Sequence, residues 1–579
     1  MPAHVQDRHW GDLGIALLLA GLLTLAWTMR DWASLSALRL PDTDDMVRLQ
    51  QIRDWLGGQS FGDLAQHRLG TPPGLEMHWS RLADLVPGAI IRLLTPLAGV
   101  HAAELTAVIA WPALLFVAAL ALVAGIARSL RASGQLAAVV AALAYPATTL
   151  FLPGRIDHHG LQMVLLLVVV WTAVGRGSLA AGAAAGIATA ASLIVGVETA
   201  FLLAIAAAAI VLRWIHGTRE GQARLAGYAT ALVLALAAGS ALLRTSGWDW
   251  PGCDGFTAEL WRPAQFAALA PLALAVFGFS STGARGRSVA ALVAAVVAAA
   301  GTLAIAPGCL RPYGAVDPLL AQLWLANVAE AQPLFGAPIS QAIGYAGLML
   351  AGIAANGWAW HSTRDHRWLV LLALQLAALA LTLVQLRGAY AGALLAAPAL
   401  AALITAARAK GVAALVPAWL ISAGLLYPLT GEALASRGAT TTAPSSADCS
   451  SPAALARIAA LPAGTLMAPI DMGAFALAAT PHHVVAAPYH RNGAGNAAMY
   501  RFFLGPAETA RMLAREWRID YVALCPGDFE ELGAQARGPL RLNGALRSGR
   551  PPAWLRPISP PGDAPALFAV THLPAEIRP

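Results

Sequence analysis

Apolar runs about as long as a bilayer is thick alternate with short polar stretches over the first three quarters of the chain. A membrane-crossing helix needs roughly 20 predominantly apolar residues, and on that measure about thirteen spans are predicted. They fall near 13–30, 104–127, 136–153, 160–175, 178–195, 199–213, 226–243, 264–280, 288–306, 338–358, 367–386, 389–407 and 411–428. The Ala/Gly-rich pair around Gly196 can also be read as one re-entrant unit. Beyond about residue 430 the pattern changes. A polar stretch, "RGATTTAPSSADCSSP" (437–452), reads as a linker. After it, the short apolar runs "TLMAPI" and "DYVALCP" flank helical segments such as "PAETARMLAREW", the signature of a small mixed α/β domain. The expected architecture is a polytopic α-helical membrane domain over 1–430 and an external α/β domain over 431–579.

Composition agrees with this class: 58% of the 579 residues are hydrophobic and 12% charged, against about a quarter charged in soluble proteins. The net charge of +7 does not point to nucleic acid, because the basic residues stand singly between apolar runs instead of forming a stripe. They report topology. One set of alternating loops carries Arg128 and Arg131, Arg176, Arg213, Arg219 and Arg224, Arg285 and Arg287, Arg364 and Arg367, Arg408 and Lys410. The positive-inside rule places these loops in the cytoplasm. With the N-terminus inside and an odd number of spans, the C-terminal segment lies outside, in the periplasm of a bacterial inner-membrane protein. The first span has no small-residue cleavage site after it and is expected to remain as an anchor. All four cysteines then fall outside, where disulfides form; the favoured pairing is Cys253 with Cys309 and Cys449 with Cys525.

The same outer face collects the ionisable residues. The first outer loop, about 31–100, contains "LPDTDDMVRLQQIRDWL" with Asp42, Asp44 and Asp45. "GRIDHHGLQM" (154–163) places Asp157, His158 and His159 at the end of a span, where such groups usually mark a metal site or a substrate path. A second long outer loop, about 307–337, contains "NVAEAQP" with Glu330, and Arg387 opens the twelfth span. Carboxylates with imidazole suit Mg²⁺ or Mn²⁺ better than a thiolate-seeking metal. A cation beside an arginine is the apparatus for holding a phosphate or pyrophosphate. His482, His483 and His490 are read as strand-edge or surface residues, not as a second metal site.

Taken in this order along the chain, the motifs resemble those of the catalytic subunit of oligosaccharyltransferase, of the bacterial and archaeal single-subunit type within the GT-C class of membrane glycosyltransferases. "DDMVRLQQIRDWL" and "GTPPGLEMHWSRLADLVPGAI" look like the family's first outer loop, with Asp44 at the matching aspartate. Asp157-His158-His159 is similar to its second acidic motif, "NVAEAQP" to its loop motif ending in Glu, and Arg387 to its late-span arginine. The resemblance implies thirteen spans, an external C-terminal domain, and inverting glycosyl transfer from a polyprenyl phosphate or pyrophosphate donor. It implies that Asp44, Asp157 and His159 ligate a divalent cation, with Asp42, Asp45 and His158 around them. Arg387 would hold the lipid-linked phosphate, and Glu330 would orient the acceptor nucleophile, so that Asp44 and Glu330 are the catalytic pair. In the family's WWDYG region this chain reads "APIDMGAFALAATPHHVVAAPYHRN": Asp471 and Gly473 match, while the paired tryptophans are absent. The acceptor is therefore open among protein, lipid and polysaccharide. The competing readings are a transporter or flippase of a lipid-linked glycan, which predicts ionisable residues near span midpoints and broken helices, and a non-catalytic envelope scaffold, which gives no reason for these motifs to share a face.

Overall fold

The computed structural model describes residues 3–278, 283–310, 316–436, 448–560 and 562–571. Most of the linker predicted at 437–452, and Pro312 in the second outer loop, lie outside the described residues. The chain forms two compact units. One comprises residues 1–30, 79–314 and 329–440; the other comprises 31–78, 315–328 and 441–579.

The first unit is helical. Among the described residues, eight helices are long and apolar enough to cross a membrane, or nine if Val412–Ser422 and Leu426–Ser436, bent by 75°, form one broken span. The three shorter apolar helices His159–Val174, Leu179–Val195 and Ala200–Ile215 add to these. The predicted third span is not one continuous helix. Gly134–Ala142 stops at a cis Tyr145–Pro146 peptide, and a 3-10 turn, Ala147–Phe151, follows. Proline lacks the N–H that a helix interior needs, which explains the break. The pair around Gly196 forms two helices separated by residues 196–199. Within the first outer loop, Arg81–Ala98 is an amphipathic helix begun by Ser80, whose hydroxyl accepts from the Leu82 N–H.

Apolar helices in lipid gain little by burying more apolar surface, so close backbone approach and dispersion hold them together. Leu179–Val195 and Arg219–Leu242 show how the sequence arranges this. A Cβ at Gly182 would collide with the Arg224 carbonyl, and one at Gly227 with that of Leu179, so the two backbones meet where only glycine fits. Cys253 and Cys309 are bonded in this unit.

The second unit is built as a soluble domain is. β1 (Ala65–Gln66) and β2 (Leu75–Glu76) pair antiparallel, and β3 (Thr465–Met467), β4 (His483–Val484), β5 (Tyr521–Leu524), β6 (Leu555–Pro557) and β7 (Ala566–Val570) form one sheet in the order β4-β3-β5-β7-β6. β3 runs parallel to β4 and β5, and the β5–β7 and β6–β7 pairs are antiparallel. Phe502, Phe503, Ile519, Val522 and Phe568 fill the core. Two stretches read as outer loops join this unit. Leu320 and Trp324, in and beside the helix Pro318–Leu323, insert into the core, and the Tyr500 hydroxyl donates to the Leu323 carbonyl at 3.2 Å. The helix Thr43–Leu56 packs on Ile470–Ala479, with Arg53 donating to the Ala478 carbonyl at 3.0 Å. Cys449 and Cys525 are bonded here, so both expected pairings form.

Candidate functional site

In the first unit, the stretch "GRIDHHG" turns the chain from the 3-10 segment into the helix His159–Val174. A helix start leaves backbone N–H groups without intrahelical partners. Asp157 satisfies one of them: its Oδ1 accepts from the His159 N–H at 3.0 Å, while Oδ2 accepts from Arg155 at 2.6 Å. His158 is buried, its ring 4.3 Å from that of His159, and its Nε2 lies 3.1 Å from Glu198 Oε1. Glu198 Oε2 accepts from Gln162 at 2.7 Å.

Glu198 is a candidate site residue that the motif reading does not include. It sits in the break between Leu179–Val195 and Ala200–Ile215, beside Gly196, where a Cβ would run into the Glu198 carboxylate and stand 2.9 Å from Gln162 Nε2. Ligand atoms of His158, His159 and Glu198 all lie within 4.8 Å of one another. Two imidazoles and a carboxylate at this spacing form a donor set for a divalent transition metal. The signal was present in "LIVGVETAF": a lone carboxylate inside an apolar stretch is a site hypothesis by default.

Glu330 and Arg387 come together in the same unit. Arg387 Nη2 donates to Glu330 Oε1 at 2.9 Å, and the Arg387 and Leu386 N–H groups donate to the carbonyls of Glu330 and Gln332 at 3.3 and 2.9 Å. These bonds tie the segment around Glu330 to the start of the helix Gly388–Ala409. Gly388 permits the tight entry, because a Cβ there would lie 2.6 Å from the Thr382 nitrogen. The rings of Tyr345 and Tyr390, on the helices Ile339–Thr363 and Gly388–Ala409, lie 6.1 Å apart between centroids.

The remaining predicted residues belong to the second unit. Asp42 caps the helix Thr43–Leu56 by accepting from the Asp44 N–H at 3.1 Å, and Asp45 is fully buried in its first turn. Asp44 faces Tyr489, a buried residue that the motifs do not indicate. Burial and the carboxylates of Asp44 and Asp42 push the Tyr489 phenol well above its ordinary range, so it stays a donor. Asp471 opens Ile470–Ala479, and Gly473 is required two residues on because a Cβ would meet the Ala486 carbonyl. His482 is not at the surface as expected. It is fully buried, hydrogen-bonded to Ile458 and Gly464 carbonyls at 2.9 and 3.3 Å, and packed edge-on to Tyr521. His483 is exposed on β4, and His490 lies 4.9 Å from His78.

No protein-family model matches the chain, and no curated protein matches it by sequence. Solved structures do match. The apo oligosaccharyltransferase of Archaeoglobus fulgidus superposes with a TM-score of 0.66 at 15% identity, over 89% of this chain and 69% of that one. The archaeal enzyme AglB from the same organism, in complex with an inhibitory peptide and a dolichol-phosphate, gives 0.62 at 15% identity over the same shares. A complex of the Archaeoglobus enzyme with Zn and sulfate gives 0.61 at 15% identity, over 88% of this chain and 67% of that one. A likeness at this identity is one of fold, and it covers 89% of the chain: this protein has the fold of the Archaeoglobus oligosaccharyltransferase.

Proposed function

We propose that the protein is a membrane glycosyltransferase that moves a sugar or oligosaccharide from a polyprenyl phosphate or pyrophosphate donor to an acceptor outside the membrane. The observation that carries this reading is the His158–His159–Glu198 donor set, at the helix end singled out by "GRIDHHGLQM", within a fold shared with oligosaccharyltransferases. Thirteen passages are counted if Gly134–Ala142, the three shorter apolar helices and the bent pair each cross once. The loop arginines put the N-terminus in the cytoplasm. Residues 1–430 then form the catalytic membrane domain and 431–579 the external domain, with 31–78 and 315–328 on the outer side. A transporter reading shares the broken helices but gives no account of a two-histidine, one-carboxylate donor set at a helix end, and a scaffold reading accounts for neither.

The residue roles follow from charge and reach. Asp157, His158, His159 and Glu198 would hold a divalent cation, Mn²⁺ or Mg²⁺, which neutralises charge on a phosphate leaving group when bound; for Asp44 a ligand role rests on the motif resemblance alone. Arg387 offers a planar fork of donors that a phosphate can accept bidentately. Its partner Glu330 keeps that guanidinium oriented before substrate arrives. When the phosphate takes over Arg387, Glu330 is released to accept a hydrogen bond from the acceptor nucleophile, which leads to inversion by direct attack. Dolichol-phosphate and peptide belong to the archaeal complexes; for this chain they suggest a lipid-phosphate donor and leave the acceptor among protein, lipid and polysaccharide. The test is purified protein with extracted polyprenyl-linked glycans, with and without EDTA, read by mass spectrometry of the products. Metal-restored transfer is expected; full turnover in excess chelator would refute the cation, and absence of any transfer under restored metal would refute the glycosyltransferase reading.

A further inference from the structure

The helix His159–Val174 carries the candidate metal residues at one end, and about 24 Å away, at 1.5 Å per residue over its 16 residues, it ends in a cluster of arginines. Part of that cluster has a structural purpose. Arg224 donates to the Ala173 and Gly175 carbonyls at 2.9 and 2.7 Å and Arg213 to Gly175 at 3.2 Å, which satisfies acceptors that a helix C-terminus leaves open. A second group opens onto a cavity, although one of them, Arg367, also donates to the Ser129 carbonyl at the end of Val100–Ser129. Arg128, Arg131, Arg176 and Arg367 line a cavity of about 1050 Å³ whose wall contains no carboxylate.

Three acids stand near these four arginines and leave cation in excess: Glu220 accepts from the Gly177 N–H, next to Arg176, at 3.4 Å. Asp12 pairs with Arg128, and Asp365 pairs with Arg367 while also feeling Arg131. Arg131 and Arg176 are exposed. Positive-inside topology alone explains arginines in water. It does not explain why these open onto an apolar wall formed by Trp171 and the small residues Ala180, Ala181 and Ala184 of Leu179–Val195. Trp171 is 42% exposed and lies over Gly125, where a Cβ would stand 2.9 Å from its indole nitrogen. Excess cation beside an aromatic ring and a small-residue groove, at the membrane end of a helix bundle, matches a phosphate headgroup with its acyl chain.

We propose that this cavity is a binding site for an anionic phospholipid, held through its phosphate by Arg131 and Arg176 and through its chain along Ala184 and Trp171. This site stands apart from the glycosyl-transfer reading and is tested without measuring transfer. The full chain is placed in phosphatidylcholine nanodiscs containing a minor fraction of phosphatidylglycerol, and lipids retained after extraction are counted by native mass spectrometry. Preferential retention of phosphatidylglycerol is expected. The Arg131→Gln/Arg176→Gln pair should lower it roughly tenfold or more, since each basic residue contributes substantially to anionic-lipid attraction, while Arg131→Lys/Arg176→Lys should keep most of it. Ala184→Leu should also lower retention by filling the chain groove. Arg176→Gln alone, at an exposed position, keeps the test readable if the double variant does not fold, with a several-fold loss expected. Equal retention of both lipids, or undiminished retention in the folded glutamine variants, would overturn the site. Displacement of phosphatidylglycerol by soluble glycerol phosphate, with Ala184→Leu indifferent, would overturn the lipid in favour of a soluble anion.

Discussion

The two units solve the same packing problem with opposite chemistry. In the helical unit, Gly182, Gly186 and Gly227 remove side chains so that backbones touch. In the mixed α/β unit, Phe502, Phe503, Trp554 and Phe568 add side chains so that a core is filled. The difference follows the solvent. Water rewards removal of apolar area at roughly 25 cal/mol per Å², and aromatic rings provide much of it. Lipid rewards contact and shape instead. The helix Ala284–Ile305 makes the point from the other side, since its apolar window has no buried residue and yet is among the most hydrophobic in the chain. Polar groups follow the same division. His482 is buried with carbonyl partners in the second unit as an element of its core, whereas His158 in the first unit is buried against a carboxylate and shares its neighbourhood with His159.

The largest expected effect is at the helix contact. Gly182→Leu puts a branched side chain where the Arg224 carbonyl already lies, in two backbones that cannot separate without losing the whole contact. No monodisperse folded protein should be recovered, as read by size-exclusion chromatography in detergent. Recovery of a stable protein would mean that the two helices do not pack as described. The matching change in the other unit is Phe503→Ala, which leaves a cavity in a fully buried core and should cost about 3–5 kcal/mol. Limited proteolysis should then open the second unit while the helical unit stays intact; simultaneous loss of both would erase the contrast between them.

Next comes the donor set. Glu198→Gln keeps the size and the Gln162 neighbour but removes the charge. Affinity for Mn²⁺, followed by titration calorimetry, should fall at least about 10–100-fold, the range seen even for outer residues of metal sites. Unchanged affinity would remove Glu198 from the site. Gly196→Val approaches the same carboxylate through the backbone, since a Cβ there collides with it, and a similar loss is expected.

How much of this was legible in the sequence depends on which force placed each residue. The long apolar helices were legible because apolar length is a one-dimensional property, although eight or nine reach spanning length among the described residues and not thirteen. Both expected disulfides form. The break at Tyr145–Pro146 was visible as a proline but was outweighed by the apolar run around it. Glu198 and Tyr489 do not stand out in the sequence, because each joins a candidate cluster only through a contact distant in sequence: Glu198 with His158 across 40 residues, and Tyr489 with the Asp44 region across more than 400. The transfer of Leu320 and Trp324 into the second unit's core was hidden for the same reason, since a short apolar run in a loop does not reveal which core it joins. The burial of His482 is not legible in the sequence because it precedes β4 and is fixed by the Ile458 and Gly464 carbonyls, 24 and 18 residues away.

The smallest effect separates the units by pH. Asp528 lies in the second unit with its Oδ2 accepting from the Cys525 N–H at 2.6 Å, and burial pushes its carboxyl up to about 6 from an ordinary 3.8. The folded state therefore holds this proton more tightly than the unfolded chain does. The stabilisation from the neutral form is fully present below about pH 4 and is lost as pH rises through about 6, because between those values the native state binds more protons than the unfolded state. Asp528→Asn keeps an oxygen for the Cys525 N–H and cannot ionise. It should raise the stability of the second unit above pH 6 by on the order of 1 kcal/mol, allowing for solvent screening, and leave it nearly unchanged at pH 4. Thermal melts of the full chain at pH 4 and pH 7, with proteolytic opening of the second unit as the readout, distinguish the cases. Equal stabilisation at both pH values would mean that the aspartate acts through shape and not through charge, and destabilisation at pH 7 would mean that the attraction of the nearby Arg547 charge outweighs burial.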